Sequence, residues 1–97
     1  MAEITQTLTE RGARYGKFTT HAGITQRIKQ AMHEHPGWMN LEDDHKEALD
    51  MVAHKIGHIL NGDPIYDDSW VDIAGYATLV AKRLQGAWAQ PRADPSR

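Results

Sequence analysis

Four carboxylates stand at spacings that could do chemistry. Glu47 and Asp50 are an i, i+3 pair, and Asp68 and Asp72 an i, i+4 pair. On a helix either spacing makes both side chains project together. Lys55, His54, His58 and Asn61 lie in the same run. Oxygen-only pairs from two neighbouring helices suit Mg²⁺ or Mn²⁺ held against phosphates. The same acids also fit a plain solvated face of two amphipathic helices. Asp50, His54 and His58, at i, i+4, i+8, offer a second metal chemistry. The zinc-protease helix, however, needs Glu directly after its first His, and Lys55 stands there. His21, His33, His35 and His45 are expected at the surface.

Positioning these side chains requires helices, and the periodicity predicts four. The first covers about residues 4–14 and stops at Gly16, with Arg14 and Lys17 beside that turn. The second runs from about Thr20 to Glu34 on the stripe Ile24, Ile28, Met32, and Pro36-Gly37 ends it. The third follows Asn40 as N-cap, with Glu42, Asp43 and Asp44 near its positive end, and stops at Gly62. The fourth starts at Asp67 or Asp68 and reaches about Gln85. Residues 1–88 read as a single all-α domain and residues 89–97, with two prolines, as a disordered tail.

At about 100° per residue, Ala48, Leu49, Val52, Ala53, Ile56, Ile59 and Leu60 form the apolar face of the third helix. Glu47, Asp50, His54, His58 and Asn61 lie opposite. On the fourth helix Trp70, Ile73, Ala74, Ala77, Val80, Ala81 and Leu84 form the core face, and Asp68, Asp72, Gly75, Tyr76 and Leu79 oppose it. Gly75 within a helix costs roughly 1 kcal/mol against Ala, so a close approach to its backbone is expected. Two-faced helices of this kind predict a bundle core made by the third and fourth helices and completed by a second subunit, in a homodimer or larger homo-oligomer.

Bulk properties bound the functional classes. The chain has 97 residues, a formal net charge of -2 and no cysteine. Thiolate chemistry, disulfides and sulfur-held zinc are excluded. The charge balance and the lack of a basic recognition helix argue against nucleic-acid binding. No apolar run approaches a membrane span and no signal-peptide pattern opens the chain, so a cytoplasmic setting is expected.

Ala53-His-Lys-Ile-Gly-His-Ile-Leu-Asn-Gly-Asp63, followed by Asp68-Ser-Trp-Val-Asp-Ile-Ala-Gly-Tyr-Ala-Thr-Leu-Val80, resembles a small phage and prophage domain of unknown function. Glu10-Arg-Gly-Ala-Arg-Tyr-Gly-Lys-Phe18 resembles that domain's opening motif. More loosely, the domain is similar to the all-α nucleoside triphosphate pyrophosphohydrolases of the MazG and dimeric dUTPase type. Those enzymes bind Mg²⁺ through E-x-x-E on one helix and E-x-x-D on the next. Glu47-x-x-Asp50 matches the first with Asp in its last place. The second departs, because Ser69 stands three residues before Asp72 and the acid, Asp68, four before. His58 stands where the related domain usually has Arg.

The resemblance implies a four-helix MazG-like arrangement in a phage- or prophage-encoded protein. It implies Mg²⁺-dependent hydrolysis of (deoxy)nucleoside triphosphates to monophosphate and pyrophosphate. Glu47, Asp50, Asp68 and Asp72 would hold metal, and Glu47 would also act as base. Lys55, His54, His58, Asn61, Tyr76, Arg14 and Lys17 would contact the nucleotide, with Tyr76 or Trp38 stacking on the base. The alternative is a non-catalytic phage protein that binds a host protein or sequesters a nucleotide. The shifted second motif and His58 favour it.

Overall fold

The computed structural model describes residues 4–6, 17–62 and 64–86, and all of its regular structure is helical. Residues 4–6 are helical (α1). Phe18–Glu34 form α2, Pro36–Asn40 a 3₁₀ turn, Asp43–Asn61 α3 and Asp68–Leu84 α4. Among the described residues there is no strand, and no helix is long and apolar enough to cross a membrane. Arg14, the Gly16 turn, Trp88 and the 89–97 tail lie outside the described residues.

The punctuation follows local chemistry. Pro36 cannot continue α2, and the Gly37 amide donates to His35 Nδ1 at 2.9 Å, turning the chain into the 3₁₀ segment. Asn40, expected to cap α3, belongs instead to that 3₁₀ turn. Glu42 is the N-cap, because His45 reaches back so that its Nδ1 accepts from the Glu42 amide at 3.2 Å. Asp43 and Asp44 then occupy the first turn, where the helix dipole favours acids. Gly62 ends α3 as expected. Gly86, at φ 74°, turns the chain out of α4 in the left-handed conformation that glycine adopts most readily.

α3 is the central helix and packs on both α2 and α4. Its contacts with α2 run through Asp50, Ala53, His54, Gly57 and His58. Those with α4 run through Asp44, Lys55 and the side of Ala48 and Val52. At about 100° per residue these sectors are roughly a third of a turn apart. Glu47 and Met51 lie in the narrow sector between them, while Leu49, Ile56 and Leu60 lie on the wide outer side.

Among the described residues the expected apolar core is therefore not closed within the chain. Among the described residues Ala53 is the only apolar side chain that is fully buried. Leu60 is 67% exposed, and Trp70, placed on the core face by its periodicity, is 54% exposed with its indole N–H directed to the Pro64 carbonyl at 3.3 Å. The fully covered side chains are otherwise polar: His21, Thr25, His58 and Ser69.

Candidate functional site

Lys55 of α3 reaches the acid stripe of α4. Its Nζ lies 2.8 Å from Asp72 Oδ2. Asp50 is drawn the other way, to α2, where its Oδ1 lies 2.7 Å from His33 Nε2. Glu47 and Asp68 are exposed. The oxygen-only donor set suits a hard divalent ion. Among the described residues, however, none of these four acids belongs to a three-residue cluster with ligand atoms mutually within 4.8 Å.

The remaining expected contacts fall in several places. Asn61 Nδ2 donates to the Lys17 carbonyl at 2.8 Å, so these two meet where α3 ends and α2 begins. Tyr76 is half-buried on α4, beside an open depression of about 570 Å³ lined by Asp72, Gly75 and Leu79 among others. The close approach expected at Gly75 is not made by any described residue, since a Cβ there would meet nothing within 4 Å. Trp38, a candidate for base stacking, has its ring 4.4 Å from that of His33.

The close approach occurs at Gly57. A Cβ at that position would stand 2.3 Å from Thr25 Oγ1 and 3.0 Å from His21 Nδ1. With only hydrogen at position 57, α2 presses against α3 and carries His21 into the interior. His21, expected at the surface, is 2% exposed, and Thr25 is 3% exposed. The His21 ring stacks on His58 at a centroid distance of 3.9 Å and meets His54 edge-on at 4.6 Å. His54 and His58 approach through their Nε2 atoms at 3.1 Å. Their i, i+4 spacing was visible in the sequence; the His21-x-x-x-Thr25 pair and Gly57 were the unread signals that α2 would complete the group.

Burial pushes the His21 imidazole below its ordinary value of 6.5, and the Lys29 charge adds to the effect. His58, expected to contact substrate, is 8% exposed with its ring covered by His21. His54 is only half-buried and keeps one side of the cluster open.

A second cluster closes the far end of the α3–α4 hairpin. Arg83 Nη2 donates to Asp44 Oδ1 at 2.7 Å and to Glu42 Oε1 at 2.8 Å. The guanidinium hydrogen bonds and charge hold both carboxyl groups below the usual carboxylate range. Between this cluster and the Lys55–Asp72 pair lies an apolar cleft of about 410 Å³, lined by Leu41, Ala48, Leu49, Val52, Val80 and Leu84 among others. No family model, curated protein or solved structure matches this chain.

Proposed function

We propose that the chain is a phage-type, MazG-like nucleotide pyrophosphohydrolase that works as a homodimer. The observation that supports this best is the Lys55–Asp72 pair at 2.8 Å, which ties an acid of α4 to the helix that carries Glu47 and Asp50. Mg²⁺ (or Mn²⁺) held by Glu47, Asp50, Asp68 and Asp72 would neutralise phosphate charge and activate water. A polyphosphate offers Lys55 a partner of higher charge than one carboxylate, so binding transfers Lys55 to the phosphates and releases Asp72. Glu47, exposed and carrying no hydrogen bond or ion pair among those described, takes the proton as water adds to the α-phosphorus and the bond to the bridging oxygen breaks. Pyrophosphate leaves. Tyr76 packs against the base, and Lys17 and Asn61 meet the substrate from the α2–α3 end. The apolar cleft and the exposed Leu49, Leu60 and Trp70 form the face covered by the second subunit.

The test is pyrophosphate release from a panel of ribo- and deoxynucleoside triphosphates with Mg²⁺. Turnover of at least one nucleotide is expected, with Glu47→Gln slowing it by about 100-fold or more. A second reading, binding without turnover, draws support from the two ion pairs that occupy Asp50 and Asp72. It covers nucleotide sequestration or docking on a host protein. Mg²⁺-dependent nucleotide binding with no pyrophosphate would favour sequestration; neither binding nor turnover would leave the host-protein role.

A further inference from the structure

The acids occupy one side of α3, but among the described residues the buried ionisable side chains are the imidazoles of His21 and His58. His21 from α2 and His54 and His58 from α3 each present a ring nitrogen, and the three nitrogens lie within 4.8 Å of one another. Two of these residues are buried and the third is half-buried. We propose that His21, His54 and His58 form a binding site for a divalent transition-metal ion, Zn²⁺ before the others, that clamps α2 to α3.

The donor geometry carries the inference. His54 and His58 are one turn apart on the same helix face, and their Nε2 atoms are 3.1 Å apart. Two imidazoles bound at about 2.0–2.1 Å to one tetrahedral ion place their nitrogens about 3.3–3.4 Å apart. Thr25 Oγ1 lies 3.3 Å from His21 Nδ1, which orients the ring and leaves Nε2 as the atom for metal. His21 would supply the third nitrogen, since a ring nitrogen of each of the three residues lies within 4.8 Å of the others. Gly57 lets α2 come close enough for this third ligand.

The chemistry agrees with the placement. Imidazoles ligate in their neutral form, and a buried group disfavours the charged one. Three nitrogens with no sulfur suit Zn²⁺, Cu²⁺, Ni²⁺ or Co²⁺ rather than Mg²⁺. The half-buried His54 gives the ion a path in and leaves a fourth position for water or a small anion. This site draws on the imidazoles of α2 and α3, whereas the proposed Mg²⁺ ligands are the carboxylates Glu47, Asp50, Asp68 and Asp72 of α3 and α4.

The experiment titrates the untagged, EDTA-stripped full chain with ZnCl₂ by calorimetry, and with CoCl₂ by visible spectroscopy. One Zn²⁺ per chain is expected, together with the intense visible bands of tetrahedral Co²⁺ and a melting temperature that climbs with Zn²⁺ concentration. His54→Gln, at the open edge of the cluster, should keep the helical circular-dichroism signal and weaken Zn²⁺ binding by about 100-fold. His21→Asn should behave alike, and Glu47→Gln should bind Zn²⁺ as the native chain does, whatever its effect on nucleotide turnover. The assignment is overturned if the folded native chain binds no Zn²⁺. It is equally overturned if His54→Gln and His21→Asn bind as tightly as the native chain, since surface histidines such as His33 and His35 would then be the ligands.

Discussion

The two contacts that α3 makes differ in kind. Against α2 it presents small and polar groups, Ala53, Gly57, His54 and His58, and the contact is closed: His21 and Thr25 fit over Gly57 with no room for a methyl group. Against α4 it is fastened by charge at two points, Lys55 to Asp72 and Asp44 to Arg83, with an apolar cleft of about 410 Å³ open between them. Shape complementarity specifies the first contact and needs nothing further. The second keeps the hydrophobic surface that a chain of this size would normally bury. A helix can thus be tightly packed through its polar stripe while its apolar face stays open.

The largest effect is expected where the open contact is made hostile to a partner. Val52→Asp places a charge in the apolar cleft and should cost association about 3 kcal/mol or more. Light scattering should find a helical monomer, and an unchanged dimer would show that this face is not the contact. Next comes the closed contact. Gly57→Ala drives a Cβ into Thr25 and His21 and should destabilise folding by about 1–3 kcal/mol, read by urea denaturation. A neutral result would mean that α2 can shift away without loss, and the distinction between the two contacts would weaken.

The ion pairs should count for less. Lys55→Met removes a partly exposed pair and should cost about 0.2–1 kcal/mol of stability. If the proposed nucleotide hydrolysis holds, its larger consequence should be a raised KM for nucleotide, because the phosphates would lose their point charge. At the other end, Arg83 keeps Glu42 and Asp44 ionised below their ordinary values of 4.5 and 3.8. Depressed carboxyl groups of this kind contribute stability above the ordinary values, and it is lost as pH falls through the depressed ones. Arg83→Gln should therefore lower the melting temperature at neutral pH and make little difference at pH well below the carboxylate range. An equal drop at both extremes would assign Arg83 a packing role instead.

Much of the helix layout is legible in the sequence because it rests on local chemistry. Pro36-Gly37, Gly62 and the 3.6-residue spacing of Ile24, Ile28 and Met32 mark breaks and faces directly. The choice of face is harder. Periodicity separates apolar from polar positions, but it does not say which stripe a neighbouring helix will cover. The apolar face of α3 was the natural expectation for the core, yet α2 covers the stripe of Ala53, Gly57 and His58, since small residues permit the closest approach. Of the two interior glycines on α3 and α4, Gly75 stands among acids in the sequence, whereas Gly57 stands among apolar residues that do not reveal the approach of α2. His21 lies one turn before Ile24 and Thr25, and nothing in its own spacing distinguishes a buried imidazole from a wet one. The acid pairs were legible as pairs, but their partners, His33 for Asp50 and Lys55 for Asp72, depend on helix packing that sequence spacing does not encode.

The account turns on the uncovered apolar side of the α3–α4 hairpin, since the proposed enzyme is a dimer built across it. Multi-angle light scattering of the full chain measures this directly. The account predicts a mass of at least twice the 10.9 kDa protomer. A constant 10.9 kDa across the accessible concentration range would contradict it.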